Sequence, residues 1–425
     1  MTAAAATLST WTCPFCPLAC DHLSVRVDAA AQAMVLEAGA CERAAQSLSR
    51  FTPTSLSGAP LIDGQACSLA EATRAAAGLL RTSRQPLFAG LGTDVAATRA
   101  LYPLACATGA ICDSAGGEAL MQGLRALQDR GQFTTTLAEV RTRADVIVFV
   151  GGLPVDVAPL IAQRCGIGEA QGVQRHVVVL GPAPGDEALL MGWVGAGVTV
   201  ESIPLHDDLF TTLALLVALL ASRTVPATPA ALQALAARLK AARYGVLIGA
   251  PARLAAHGAL VIEAVHQAVG HLNRSTRAAA LWLGGGNGAA TANQVFAWLS
   301  GLPLRSRAGP WGLEHEPLLF DAQHLIADAA VDALLWLSSF DSTSVPPANR
   351  LPMVVLGPPA LASACRRKAS VFIPVATPGV SSDGHVFRTD GTVLMPLKMV
   401  LESGLPAVSE VVGSLLQALQ AQATA

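Results

Sequence analysis

Three thiols stand within eight residues near the start of the chain. Cys13, Cys16 and Cys20 lie in TCPFCPLACDHLSV, from Thr12 to Val25, and Cys41 follows twenty residues later. Four thiolates satisfy a tetrahedral zinc ion or a four-iron cluster, and the count alone does not choose between them. Zinc sites are usually built from two CxxC pairs, whereas three close cysteines and one distant one follow iron-sulfur spacing. Buried free thiols are the competing reading, since cysteine is among the most often buried residue types. Three in so short a stretch weigh toward metal. The remaining thiols, Cys67, Cys106, Cys112, Cys165 and Cys365, are scattered in apolar or helical surroundings and read as core residues. His22, beside Asp21, reads as a solvated turn histidine.

Other groupings promise less chemistry. GGGNG at Gly284–Gly288 offers backbone N–H groups to an anion, but no Lys-Ser/Thr follows and no G-x-G-x-x-G precedes a helix, so a tight turn is expected. SSFDSTS around Asp341 reads either as a ligand-facing strand end or as helix-capping and turn residues. His315 lies between Glu314 and Glu316, which as immediate neighbours do not share a helix face with it. His266 and His271 are five apart, also wrong for a shared face. No Ser-His-Asp or Cys-His arrangement is readable.

The elements that must position these groups are legible. From Ala66 onward, short apolar runs ending in Gly or Pro alternate with Ala/Leu-rich helical segments, the signature of an α/β fold. Strands are expected in PLFAGLG (from Pro86), ADVIVFVGG (Ala144), RHVVVLGPAPGD (Arg175), YGVLIGAP (Tyr244), ALWLGGGNG (Ala280), DALLWLSSFDS (Asp332), PMVVLGPP (Pro352) and VFIPVATPG (Val371). Runs of this kind flanked by helices suit parallel strands buried on both faces. SLAEATRAAAGLLRTS predicts a helix with Ser68 as N-cap and Glu71 completing a capping box. Helices are also expected in LFTTLALLVALLASR and in PAALQALAARLKAARYG, the last closing on Gly245.

The chain has 425 residues, 52% hydrophobic, 14% charged and 4% aromatic. That length suits two or three structural units, and the scarcity of charge suits a subunit that hides several faces in a complex. A net charge of −2, with no lysine before Lys240, leaves no footprint for nucleic acid. The longest aliphatic run, LALLVALLA from Leu213, is far shorter than the roughly 20 residues of a membrane span. The N-terminus lacks a basic and then apolar leader, so a cytoplasmic protein with reduced thiols is expected.

Four collinear stretches resemble one family. CPFCPLACDHLSV is similar to the iron-sulfur segment that opens molybdopterin and tungstopterin oxidoreductases, specifically the B subunit of formylmethanofuran dehydrogenase. TLAEVRTRADVIVFVGGLP (Thr136–Pro154), NGAATANQVFAWLSGLPLR (Asn287–Arg305) and VATPGVSSDGHVFRTDGTVLMPL (Val375–Leu397) resemble later segments of that family in the same order. The resemblance implies a molybdopterin-oxidoreductase-like α/β fold with no C-terminal β-barrel. It implies an N-terminal Cys-rich lobe at 1–60, a Rossmann-like lobe at 61–160 completed by 340–425, and a second Rossmann-like lobe at 161–339. It also makes Cys13, Cys16, Cys20 and Cys41 candidate [4Fe-4S] ligands.

The same resemblance exposes departures. Family members hold tungsten or molybdenum through a Cys or selenocysteine beside a His, on the segment that here reads ICDSAGGEALMQGLRALQDRG. After Cys112 no Cys occurs until Cys165, and no His occurs between His22 and His176. Arg43, in CERAAQ, follows the fourth cysteine where relatives carry Gly and a nearby Lys, and GPWGLEHEPL from Gly309 replaces an Arg-Tyr-Asn-Pro-like run. These departures resemble the family's degenerate branch, the B subunits of bacterial formyltransferase/hydrolase complexes. Such complexes convert formyl-tetrahydromethanopterin to formate through a formyl-methanofuran-like carrier in one-carbon metabolism, during formaldehyde oxidation. The implied role is a non-catalytic scaffold partnered by the hydrolase A, formyltransferase D and C subunits, without tungsto- or molybdopterin and with a vestigial or structural cluster. The alternative is an active tungsten or molybdenum subunit in which Cys112 is an unusual ligand.

Overall fold

The computed structural model describes residues 7–28, 33–52, 56–169, 172–195, 197–254 and 257–423. It divides into two compact units, residues 1–117 with 285–425, and residues 118–284.

The first unit opens with β1 (Thr7–Trp11), β2 (Leu23–Asp28) and β3 (Ala33–Ala38), an antiparallel sheet in that order. Helix α1 (Glu42–Ser49) follows and buries Ala44 and Leu48. Two short antiparallel strands, β4 (Leu61–Ile62) and β5 (Gln65–Ala66), lead to α2 (Leu69–Thr82). The capping box is formed: Ser68 Oγ accepts the Glu71 N–H at 3.2 Å, and Glu71 Oε2 accepts the Ser68 N–H at 2.9 Å. Next come β6 (Pro86–Gly92), buried throughout, α3 (Val95–Thr108) and β7 (Ile111–Cys112). Asp94 caps α3 by accepting the N–H groups of Ala96 and Ala97, and Gly109, at φ +64°, ends it in the left-handed conformation glycine tolerates.

Helices α4 (Gly117–Arg130) and α5 (Leu137–Arg143) carry the chain into the second unit. Its strands and helices alternate as β8 (Val146–Val150), α6 (Ile161–Arg164), β9 (Arg175–Leu180), α7 (Asp186–Met191), β10 (Val198–Ile203), α8 (Leu209–Leu220), α9 (Ala230–Ala241), β11 (Gly245–Gly249), α10 (Gly258–Leu272) and β12 (Ala278–Trp282). All neighbouring pairs are parallel in the order β10-β9-β8-β11-β12. Val148, Val178 and Leu247 of the sheet pack with Leu213 and Leu216 of α8 and Val265 of α10, which is why these strands read as unbroken aliphatic runs. Helix α9 stops at Ala241, and Gly245 is the first residue of β11 rather than the glycine that closes the helix.

The chain returns to the first unit with α11 (Ala289–Ser300), β13 (Ser306–Gly309), β14 (Gly312–His315), α12 (Ala322–Ala327), β15 (Ala333–Ser338), β16 (Met353–Gly357), β17 (Ser370–Pro374), β18 (Gly384–Phe387), β19 (Leu394–Leu397) and α13 (Val408–Ala423). The large sheet runs β14-β13-β7-β6-β15-β16-β17-β4-β5, parallel across its five central strands and antiparallel at both edges. Strand pairing places β8 in the second unit and β15 in the first, and the chain passes between the units at 117 and 284. The eight strands expected from sequence are β6, β8, β9, β11, β12, β15, β16 and β17. Among the described residues no helix is long and apolar enough to cross a membrane.

Candidate functional site

The cysteine segment is the irregular crossing between β1 and β2, and its backbone folds back on itself. Cys13 N–H donates to Cys20 O at 2.9 Å and Ala19 N–H to Cys16 O at 3.2 Å. Ala19 takes a left-handed φ of +40° to make this turn. Trp11 pins the start of the segment, since its Nε1–H donates to Gly379 O at 2.7 Å and its ring is fully buried. Phe15 lies 5.9 Å from both Trp11 and Phe51, measured between ring centroids. Pro17 O accepts the Thr389 N–H at 2.9 Å, tying the segment to the turn between β18 and β19. That turn is held by the buried pair Arg388–Asp390, in which both Nε and Nη2 of the guanidinium reach the carboxylate.

Cys13, Cys16, Cys20 and Cys41 are all buried, the last at the head of α1. Burial pushes the Cys13 thiol well above its ordinary value, and Cys16, Cys20 and Cys41 act in the same direction. Burial raises Cys16 as well, opposed by the Leu18 N–H and by Arg43. The Phe15 N–H toward Cys13, and those of Leu18 and Ala19 toward Cys16, are donors that a sulfur carrying negative charge needs. The donor set therefore suits a thiolate-bound group that displaces the thiol protons. Among the described residues no three His, Cys, Asp or Glu side chains are arranged to hold a single metal ion. None of the nine cysteines forms a disulfide among the described residues, and His22 is exposed.

The segment after β7 carries charge of a different kind. Asp113 is buried and accepts N–H groups from Ser114 at 2.9 Å and Ala322 at 3.0 Å. Arg305 Nε stands 3.4 Å from Asp113 Oδ1, while Nη2 of the same guanidinium reaches Asp321. Burial outweighs Arg305 and holds the Asp113 carboxyl at about 6. Arg305 also donates its backbone N–H to Cys112 O at 2.7 Å. Cys112 itself is buried among Tyr102, Cys106 and Phe296, and burial followed by Cys106 raises its thiol well above the ordinary value. It is a neutral packed thiol.

The glycine run and the serine cluster fill the carboxyl end of β6. A Cβ on Gly288 would stand 2.4 Å from Thr93 O, and one on Gly92 would stand 2.7 Å from Asn287 O. Gly288, at φ +75°, is therefore required by both backbone conformation and space. Ser339 donates its N–H to Gly92 O at 2.7 Å and its hydroxyl to the same oxygen at 2.9 Å. Asp341 accepts the Thr343 N–H at 2.8 Å, a local turn contact. In the second unit, Asp186 similarly fills the carboxyl end of β8, accepting N–H groups from Leu153 and Ala183 at 2.9 Å each. His315 Nδ1 lies 3.0 Å from Arg305 O, and His266 Nε2 accepts from Trp282 Nε1–H at 2.9 Å. Sequence reasoning missed Asp113, Arg305 and Asp321, whose spacing along the chain carries no motif.

No family model matches the chain. It is 32% identical over 359 residues to the B subunit of the formyltransferase/hydrolase complex Fhc of Methylorubrum extorquens, a match spanning 84% of this chain and 95% of that protein. It is 27% identical over 415 residues to the B subunit of the tungsten-containing formylmethanofuran dehydrogenase 2 of Methanocaldococcus jannaschii, spanning 91% and 92%. The fold matches a chain in the crystal structure of the formyltransferase/hydrolase complex (FhcABCD) from M. extorquens in complex with methylofuran. That match has a TM-score of 0.73 at 30% identity and covers 86% of this chain and all of the other. By this extent of identity and shared fold, the chain belongs to the family of formyltransferase/hydrolase complex B subunits.

Proposed function

We propose that this chain is the non-catalytic, scaffold-like B subunit of a cytoplasmic formyltransferase/hydrolase complex, assembled with a hydrolase, a formyltransferase and a C subunit. The complex passes the formyl group of formyl-tetrahydromethanopterin through a methanofuran-type carrier to formate. The fold is read as molybdopterin-oxidoreductase-like, with the Cys-rich segment as its N-terminal lobe.

The observation that carries this reading is the segment after β7. On the segment where the resemblance expects a metal-binding Cys beside a His, this chain has no His and no Cys after Cys112, and Asp113 is engaged by Arg305. Cys112 points into packing against Cys106 and Tyr102, which argues against it as a substitute ligand. Exposed apolar residues fit an assembled subunit: Trp311 is 95% exposed, and Leu318 and Leu319 lie on the same stretch. Cys13, Cys16, Cys20 and Cys41 are the residues that would hold a [4Fe-4S] group, which when bound supplies one-electron transfer. This chain's own contribution is to bury those sulfurs and direct N–H groups at two of them.

Metal analysis of the purified complex tests the reading. We expect no tungsten or molybdenum at one per copy of this chain. Stoichiometric tungsten or molybdenum overturns the scaffold assignment in favour of a redox role. Iron and labile sulfide, measured anaerobically in wild type and Cys16→Ser, test the cluster separately: unchanged iron in the variant rejects these ligands.

A further inference from the structure

The second unit contains a cavity of about 770 Å3 that no part of the proposed role uses. It lies at the amino ends of β8, β11 and β12, where the chain enters the strands past Arg143, Arg243–Tyr244 and Arg277. Ligands of open α/β sheets usually sit at the opposite, carboxyl end. The volume is that of a small-molecule site, for which about 300–1,000 Å3 is typical.

Three arginines and one carboxylate, Glu139, line it in a chain of which only 14% is charged. Arg143 reaches Glu139 at 3.3 Å, with the two side chains 58% and 42% exposed. Arg243 Nε stands 3.7 Å from Asp145, but that carboxylate already accepts the N–H groups of Arg243 and Tyr244 at 2.9 Å each. Arg277 forms no ion pair among the described residues. Tyr244 lies between them. Burial raises its phenol, opposed by the hydrogen bond to Thr135; Glu139 adds to the rise, and Arg277 and Arg143 oppose it. Its hydroxyl donates to Thr135 Oγ1 at 2.7 Å, so it is fixed in position.

An aromatic ring completes the rim. Phe133 is 56% exposed, yet its backbone is held by edge pairing: Phe133 O accepts the Ala280 N–H at 2.8 Å, and Thr134 bridges Ala280. Glu139 and Asp145 offset part of the charge of Arg143 and Arg243, which leaves a net positive rim, and the guanidinium fork matches carboxylate and phosphate oxygens. The exposed ring offers an apolar face beside those charges. A concave site set among loops entering rigid strands suits a small molecule better than a length of polypeptide.

We propose that this cavity binds a small organic oxyanion carrying at least two negative charges, with an apolar part of its body against Phe133. The test is calorimetric titration of the purified complex at low ionic strength with two probes, pyrophosphate and citrate. We expect saturable binding at one site per copy of this chain, weakened by added salt. Arg277→Ala should weaken it about tenfold or more, the effect of one charge-assisted hydrogen bond, without altering the melting temperature, because the side chain is exposed. Tighter binding of pyrophosphate or of citrate assigns the natural anion to phosphates or carboxylates. The proposal is overturned if neither probe binds saturably, or if Arg143→Ala/Arg277→Ala binds as wild type does. It is equally overturned if the probes do not bind and Arg277→Glu releases a partner protein, for then the basin receives an acidic protein segment.

Discussion

Replacing Arg305 by methionine strips the cation from two carboxylates inside the first unit. Arg305 is 1% exposed and Asp113 2%, so the charges left behind have little water to turn to. Removing one partner of a buried pair costs about 3–5 kcal/mol. At about 2 °C per kcal/mol this is a fall of roughly 6–10 °C in melting temperature. The pH dependence gives the sharper signature. In the wild type, burial raises the Asp113 carboxyl from 3.8 to about 6, worth about 3 kcal/mol at 1.36 kcal/mol per unit. A carboxyl raised by folding contributes stability that is fully present below its unfolded value and is lost as pH rises through its folded value. Wild type therefore gains from this group between pH 7 and pH 4. Without Arg305 the one cation opposing burial is gone, so the folded value rises further and the window of loss moves upward. Arg305→Met should lose most stability near pH 8 and recover much of it by pH 5.5. Thermal melts at the two pH values measure this. Hydrogen exchange at Ser114, Ala322, Gln323 and His324, whose amides donate to Asp113 or Asp321, localises it. An equal loss at both pH values, or a loss below about 1 kcal/mol, refutes the electrostatic account.

His266 titrates with the opposite sign: burial lowers it to about 4, so stability present above about 6.5 is lost as pH falls toward 4, by about 3 kcal/mol. His266→Gln keeps an acceptor for Trp282 and should flatten that acid arm in pH-dependent melts of the second unit. Gly288→Ala should destabilise the first unit by more than about 2 kcal/mol, since its Cβ would meet Thr93 O at 2.4 Å in a left-handed backbone; melting temperature reports it. Trp11→Phe removes the donor to Gly379 O and should cost about 1 kcal/mol, with proteolysis or hydrogen exchange quickening first in the cysteine segment. Ser68→Ala should cost about 1 kcal/mol by opening the capping box of α2, read as faster exchange of the Glu71 amide.

What could be read in advance follows from the range of the forces involved. β6, β8, β11 and β16 are buried along their whole length, so each reads as an aliphatic run whatever its neighbours. The capping box is local, and the pattern Ser68-x-x-Glu71 encodes it completely. Strands β4, β5 and β7 have two residues each, too few for any periodicity, and exist only because a distant partner offers a register. Arg305 meets Asp113 across 192 positions, and a lone arginine after a Gly-x-Pro turn carries no sign of that. The second unit's basic cavity was missed for the same reason, though a signal was present: Arg143, Arg243 and Arg277 each stand within three residues of a strand start.

The two filled sites in the first unit bear on one another. A crevice at the carboxyl end of a parallel sheet stays open only if the loops beside it leave backbone donors facing outward. Here Gly288 and Asn287 lie against Gly92 and Thr93, and Ser339 spends both its donors on Gly92 O. Past β7, the carboxylate of Asp113 is turned toward Arg305. Reopening that edge would expose Gly92 O and strand a buried charge, each costing about 1–3 kcal/mol or more. The polar residues there thus serve the fold in the state described, and a substitution among them should be felt as lost stability before it is felt in any chemistry. Arg277 differs: it is exposed and forms no ion pair among the described residues, so removing it strands no buried group and should leave the melting temperature unchanged.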